Sequence, residues 1–306
     1  MGEAMEISND KKVIAVVVTY NRKELLRECI SALISQKYDN CRVLIVDNNS
    51  TDGTRTYIDD LIDEEKVIYK NTGENLGGAG GFNYGIKEAA KMNPDFVWVM
   101  DDDCIVHNNT LLNFLVADSK INRDYGFLSS KVLWKDGNIC TMNVQRKTLT
   151  KNVEDFNTSI VSVTMASFVS LFIPIKIIRE FGLPIKDFFI WTDDWEYTRR
   201  ISRRYPCYLV NKSIVTHKSA NNIGASIDTD TEDRLERYNY LYRNDMYLYR
   251  REGFRGIAYE IPRLFVHIIR ILKSDCQAKR KRITILIMAT IKGLFFNPRI
   301  ESIKNR

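Results

Sequence analysis

None of the six cysteines in this 306-residue chain (Cys29, Cys41, Cys104, Cys140, Cys207 and Cys276) stands at a spacing that suits zinc or a redox motif. They read as reduced, mostly buried thiols of a cytosolic protein. No apolar run reaches the roughly 18–20 residues needed to cross a bilayer. The amino-terminal MGEAMEISNDKK is polar and acidic and holds no apolar signal core, so secretion is not indicated. A P-loop is missing, because no Gly-Lys-Ser/Thr follows a glycine run, and no GxGxxG follows the first strand. The body has no net positive charge. The whole chain is at +6, but residues 251–306 hold 13 Lys plus Arg against 4 Asp plus Glu, a local +9 that leaves the first 250 residues at −3. A basic nucleic-acid surface could only be that tail, and no nucleic acid is expected as a partner.

The organising stretch runs from Asp95 to Asp103, where the apolar Phe96, Val97, Trp98, Val99 and Met100 end in Asp101, Asp102 and Asp103. A buried strand cannot continue through three adjacent anions without several kcal/mol of desolvation, so the carboxylates sit where the strand emerges. Ligands of open α/β sheets bind at such carboxyl ends. Alternation sends Asp101 and Asp103 to one side and Asp102 to the other, so two hard oxygen ligands can share a divalent cation that holds a diphosphate. The other reading is an acidic turn or helix start, with Asn108, Asn109 and Leu111 following.

Upstream, VIAVVV (13–18) reads as a strand buried on both faces, 22–36 as an amphipathic helix, and VLIVD (43–47) as the next strand. A helix over 52–63, a strand at 66–70, a glycine-rich turn at 71–85 with six of the 15 glycines, and a helix to about 91 follow. Strands alternating with helices imply parallel pairing through crossovers. The glycine-rich turn suits close approach of backbone to an anion, or simply tight helix packing. From 125 to 175, FLSSKVLW, ICTMNVQRK, SIVSVTMA and FVSLFIP read as strands of an antiparallel or mixed continuation.

In DFFIWTDDWEYTRRISRR (187–204), Thr192 is placed as a cap and Asp193 and Asp194 in the first helical turn. A well-capped amphipathic helix would account for this. Yet Phe188, Phe189, Trp191 and Trp195 would also desolvate the two carboxylates and raise their pKa toward the range of a general base. His217 ends a short apolar strand, 218–231 reads as a loop, and a Tyr- and Arg-rich helix follows. The tail's two apolar, basic, aromatic runs read as helices lying on an anionic membrane surface; packing on the body or on a second copy is the alternative.

VVVTYNR, VLIVDNNSTDGT, NLGGAGGF, WVMDDD, FFIWTDDWEY and NYLYRND, in this order, resemble glycosyltransferase family 2, the inverting enzymes of the GT-A fold, over about residues 12–250. The loop, the Asp triplet and WTDDWE look most like bacterial galactofuranosyltransferases and rhamnosyltransferases. The resemblance implies an α/β, Rossmann-like mixed sheet as catalytic domain (1–250), with a basic helical extension (251–306). Thr19, Tyr20, Asn21 and Arg22 would border the nucleotide, Asp47 the base or ribose, Asn75 to Gly78 (Gly77 included) the donor, and Asp102 the ribose or sugar. Asp101, Asp103 and His217 would hold Mn²⁺ or Mg²⁺. Asp194 would be the base, with Asp193 as the alternative, and Arg203 or Arg243 would either face the leaving phosphates or stabilise helices. The donor would be a nucleotide-diphosphate sugar, UDP-galactofuranose first and dTDP-rhamnose second, and the acceptor a lipid-linked cell-surface glycan reached from the cytoplasmic face of the membrane. A homo-oligomer is left open. A nucleotidyltransferase is disfavoured by TYNR after the first strand, and a non-catalytic sugar-nucleotide or glycan binder by the combination of Asp193, Asp194 and His217.

Overall fold

The computed structural model describes residues 10–62, 65–121 and 124–303; most of the polar amino-terminal segment, residues 1–9, lies outside them. β1 (Val13–Thr19), buried at every position, pairs in parallel with β2 (Cys41–Asp47) through α1 (Lys23–Ile34), whose Leu26, Cys29, Ile30 and Leu33 face the sheet. The helix expected over 52–63 is only one α turn, α2 (Thr54–Tyr57), and a 3-10 turn at Asp59–Leu61. Of its apolar residues Ile58 alone is fully buried, with Leu61 and Ile62 at the margin of the core, too short an apolar stripe to hold a longer helix. β3 (Val67–Asn71) then forms the edge, and α3 (Gly77–Lys91) leads to β4 (Phe96–Asp101), parallel to β1 on its other side.

β4 stops at Asp101. After a two-residue turn, β5 (Cys104–Val106) and α4 (Thr110–Lys120) follow, then β6 (Leu128–Trp134), β7 (Ile160–Val163), β8 (Leu171–Pro174) and α5 (Ile175–Phe181). α6 (Asp193–Ser202) and β9 (Cys207–His217) complete the sheet, with strand order β3-β2-β1-β4-β8-β6-β9-β5 and β7 also on β9. β8 is antiparallel to β4 and β6, and β9 is parallel to β6 but antiparallel to β5 and β7, so the second half is mixed. The strand expected in ICTMNVQRK is instead a 3-10 turn at Thr141–Asn143 and isolated bridges at Ile139 and Arg146. Its polar Asn143 and Gln145 are buried, and Gln145 donates to the Ser130 carbonyl at 2.8 Å, which a regular ladder would forbid.

The glycine-rich segment is not a turn beyond Gly77 but the first half of α3. A Cβ at Gly81 would lie 2.6 Å from Val18 Cγ1, and one at Gly85 would lie 2.5 Å from Val16 Cγ1 and 2.9 Å from Val46 Cγ2. Glycine here lets the helix lie directly on β1 and β2. α7 (Tyr238–Arg250), α8 (Phe254–Lys273) and α9 (Lys279–Phe295) share one apolar cluster, in which Tyr238, Tyr242 and Met246 meet Leu264, Ile271, Ile285, Leu286 and Ala289. No helix among the described residues is long and apolar enough to cross a membrane.

Gly85→Ala is expected to cost about 1–3 kcal/mol in urea unfolding, because the sheet beneath must give. Gly78→Ala, where an added Cβ meets nothing within 4 Å, should instead gain roughly 0.5–1 kcal/mol.

Candidate active site at the carboxyl ends of the strands

The Asp triplet leaves the sheet between two neighbours that answer its charge. Since β4 ends at Asp101, strand alternation does not carry on to Asp102 and Asp103, and the expected opposite-side arrangement is replaced by a turn. Asp102 accepts from Thr19 Oγ1 at 2.7 Å, at the end of β1. Arg22 Nη1 lies 3.3 Å from Asp102 Oδ1 and 2.9 Å from Asp103 Oδ2, so one cation just ahead of α1 holds both. Burial pushes Asp102 up to about 6 and Asp101 up to about 7. For Asp103 burial is outweighed by His217 and Arg22, which keep it below the usual carboxylate range.

His217 arrives by sheet register. It pairs with Cys104 across β5 and β9, and Lys218 N donates to the Asp103 carbonyl at 2.8 Å. Its Nδ1 is 2.7 Å from Asn143 Oδ1, which also accepts from the Cys140 thiol at 3.1 Å, while Asn143 Nδ2 donates to Ser167 Oγ at 3.0 Å. Asn143 thus offers an acceptor to the ring, which puts the proton on Nδ1 and turns Nε2 toward Asp103 Oδ1, 3.1 Å away. That oxygen is buried and has no other partner than the ring. Burial would lower the His217 pKa, but hydrogen bonding to Asp103 reverses this and pushes it up to about 10. A proton therefore bridges two acceptors, and a divalent cation fits the same place. No three His, Cys, Asp or Glu side chains among the described residues form a ready metal shell. Mg²⁺ and ions like it commonly take one or two carboxylates and complete their shell with substrate phosphate oxygens. The sequence did not single out Asn143 or Cys140.

The second carboxylate pair sits on a strained turn. Phe189, Trp191 and Thr192 all have left-handed φ (63°, 64° and 68°), costly for side chains other than glycine. Asn244 on α7 holds the turn, its Nδ2 donating to the carbonyls of Phe188 (3.0 Å), Ile190 (3.2 Å) and Trp191 (3.0 Å). Thr192 is at the cap position but does not cap with its side chain; its hydroxyl donates to Asp245 Oδ1 at 2.6 Å. Asp193 and Asp194 then open α6 as expected. Burial pushes Asp193 up to about 7, and burial next to Asp193 holds Asp194 well above the usual range. Of the four aromatic residues expected around them, Trp191 and Trp195 line the cavity, whereas Phe188 packs on Tyr247 and Phe296, and Phe189 stacks on Tyr240. Arg146 stands 4.9 Å over the Trp195 ring.

A cavity of about 570 Å³ joins the two halves, lined by Gly78, Asp101 and His217 and by Trp191, Asp193, Asp194 and Trp195. Outside its lining, Asp47 accepts from Ser50 N at 2.8 Å and from the Tyr69 hydroxyl, Asn21 accepts from Thr51 N at 2.7 Å, and Tyr20 is exposed. Asn75 accepts from Gly77 N at 2.9 Å. Gly77, at φ +69°, passes so close to the strained turn that a Cβ would lie 2.2 Å from the Phe189 carbonyl oxygen. The two candidate phosphate arginines lie elsewhere. Arg203 pairs with Glu252 at 2.5 Å, tying the end of α6 to the end of α7. Arg243 donates to the Asp187 carbonyl at 2.6 Å and lies 4.0 Å over the Phe296 ring. Neither lines the cavity.

Residues 14–170 match the family model described as "Glycosyl transferase family 2". Over 113 residues the chain is 34% identical to galactofuranosyltransferase GlfT1 of Mycolicibacterium smegmatis, a stretch covering 36% of each chain. Over 91 residues it is 30% identical to poly-beta-1,6-N-acetyl-D-glucosamine synthase of Staphylococcus aureus, covering 30% of this chain and 21% of the other. The matches thus span about a third or less of these relatives' length. Among solved structures, mannosyltransferase PcManGT from Pyrobaculum calidifontis, in complex with GDP-Man and Mn²⁺, superposes with a TM-score of 0.59 at 15% identity, over 93% of this chain and 87% of that one. S. aureus TarS 1–349 in complex with UDP gives 0.56, also at 15%, over 93% and 72%. At this identity the likeness speaks for the fold, the GT-A fold.

Asn143→Ala should weaken Mn²⁺ binding in the presence of a nucleoside diphosphate about tenfold or more by calorimetry, because the ring loses the acceptor that orients it. Asp194→Asn should raise stability. A carboxyl whose folded pKa is raised destabilises the fold as pH rises past its unfolded value, and fully above the folded one. The gain in Tm, roughly 2–4 °C per kcal/mol recovered, should therefore appear at pH 9 and be absent at pH 4.

Proposed function

The chain belongs to glycosyltransferase family 2, and from that membership we propose that it is an inverting glycosyltransferase moving galactofuranose from UDP-galactofuranose to a hydroxyl of a lipid-linked cell-surface glycan, with dTDP-rhamnose as the alternative donor. The observation that carries this reading is that one cavity is lined both by Asp101 and His217, from the strand ends, and by Asp193 and Asp194, from α6. The match to galactofuranosyltransferases supports the choice of sugar.

In this reading the acceptor hydroxyl enters between Trp195 and Asp194. Asp194, held above the ordinary carboxylate range, takes the hydroxyl proton as the oxygen attacks the anomeric carbon opposite the leaving diphosphate. Asp193, deeper in the wall, is the alternative base. One displacement with no covalent enzyme intermediate inverts the configuration. Asp101, Asp103 and His217 would hold Mn²⁺ or Mg²⁺, which would supply positive charge for a leaving diphosphate. Thr19 and Arg22 fix Asp102 for the ribose or sugar, while Tyr20, Asn21, Asp47, Asn75, Gly77 and Gly78 border the donor.

Hydrolysis of a panel of sugar nucleotides (UDP-galactofuranose, dTDP-rhamnose, UDP-glucose and UDP-galactose), with Mn²⁺ or with EDTA, tests this. The expected result is metal-dependent release of nucleoside diphosphate from one donor, falling by about 10²–10⁴ in Asp194→Asn. Calorimetric binding of a donor without turnover, with acceptor present, would instead identify a sugar-nucleotide-binding protein.

A further inference from the structure

The two helices after the catalytic body turn outward an apolar surface that nothing in the described fold covers. On α8 the exposed Phe254, Ile261, Phe265, Val266, Ile269 and Leu272 fall within an arc of roughly 140° at about 100° per residue. Phe254 is 86% exposed and Phe265 62%. On α9 Ile287, Met288, Ile291, Leu294 and Phe295 are exposed, Phe295 at 81%. Isolated surface apolar residues are ordinary, but eleven on two neighbouring helices make a patch.

The charges around the patch are almost all of one sign. Arg255, Arg270 and Lys273 border it on α8, and Arg280 and Lys292 lie exposed on α9, where Lys281 pairs with Glu236 at 3.1 Å. Within 254–295 the sequence holds two carboxylates, Glu260 and Asp275. Glu260 is fully buried against Arg263, which leaves Asp275, between the helices, as the exposed one. Two copies meeting through this face would bring their cations together. An anionic lipid surface meets both demands at once, with negative headgroups for the rim and acyl chains for the apolar side chains.

We propose that α8 and α9 dock this chain on an anionic lipid bilayer, lying in its plane with Phe265, Ile269 and Phe295 in the headgroup–acyl boundary. The placement relative to the cavity gives the docking a purpose. Arg263, roughly 200° around α8 from Phe265, lines the cavity and pairs with Asp245. One helix thus borders the cavity on one side and the bilayer on the other, and an acceptor anchored by a lipid tail arrives beside the carboxylate pair. That purpose rests on the lipid-linked acceptor proposed above; the docking itself does not, and it is measured without turnover.

The test is co-sedimentation of the full chain with vesicles of phosphatidylcholine containing about 30% phosphatidylglycerol, at about 0.1 M salt. Binding is expected, with affinity at least about tenfold lower for vesicles of phosphatidylcholine alone, at about 0.5 M salt, and in Phe265→Ser/Phe295→Ser. Circular dichroism and donor hydrolysis should be unchanged in that variant, which touches neither carboxylate pair. Lys273→Gln/Lys292→Gln, at exposed positions, keeps the test open if the apolar variant fails to fold; it should weaken binding to the anionic vesicles alone. Absence of binding to those vesicles overturns the proposal, as does equal binding by both variants. A dimer in light scattering that the apolar substitutions dissociate, without vesicle binding, would overturn it in favour of an interface between copies. Loss of donor hydrolysis with vesicle binding intact would count against the proposed reaction and leave the docking standing.

Discussion

Asp101, Asp102 and Asp103 leave the sheet at one place, and their repulsion in a buried setting is the constraint that the neighbouring elements satisfy. β1 supplies Thr19 because it lies beside β4 in register, Val18 opposite Asp101. The turn into α1 then brings Arg22 over the second and third carboxylates. On the other side β9 is held against β5 so that His217 faces Cys104, the residue after the triplet. Arg22 and His217 come from opposite halves of the chain, and without both the cluster would have to protonate or open to water. The compensation is partial: Asp101 and Asp102 stay above the ordinary carboxylate range, and Asp103 Oδ1 has only the imidazole before it. A cluster left short of positive charge at the mouth of a cavity is suited to bind a cation together with an anionic ligand.

The turn before α6 meets a different constraint with the same logic. Three left-handed residues among four cost of order 1–3 kcal/mol each and persist only where the surroundings impose them. Here the surroundings are the buried Asn244 side chain, under three carbonyls, and Gly77, the one residue type that leaves room for the Phe189 carbonyl. The glycine at the head of α3 thus serves the turn before α6, a role invisible until the two segments are seen in contact.

What was legible in the sequence follows from range. The apolar runs of β1, β2 and β4, the stripe of α1 and the Asp triplet are local patterns, and each appears where its pattern put it. Local pattern marks His217 only as the end of a strand, and the family resemblance alone pairs it with the Asp triplet; that it meets Asp103 depends on β5, three residues long and directly behind the carboxylates. Asn143 was lost because a polar, buried 3-10 turn has no periodicity and its segment alternates enough to pass for a strand. The glycines of α3 misled for the opposite reason: low helix propensity there is overridden by packing on the valines of β1 and β2. Thr192 had the right residue type at the right position, yet Asp245 competes for its hydroxyl and wins.

α7 is where these constraints meet. Its Asn244 and Asp245 hold the strained turn and Thr192, its Tyr238, Tyr242 and Met246 form the floor for α8 and α9, and Asp245 pairs with Arg263 of α8. The crossing with α9 is close: a Cβ at Gly293 would lie 2.6 Å from the Arg243 carbonyl oxygen and 2.7 Å from Met246 Cβ. Packed interiors do not deform smoothly, so α9 cannot shift against α7 without disturbing the residue next to Asn244. The basic tail is therefore no appendage to the catalytic body. Whatever fixes the position of α8 and α9 also bears, through one helix, on the turn that aims Asp193 and Asp194 into the cavity.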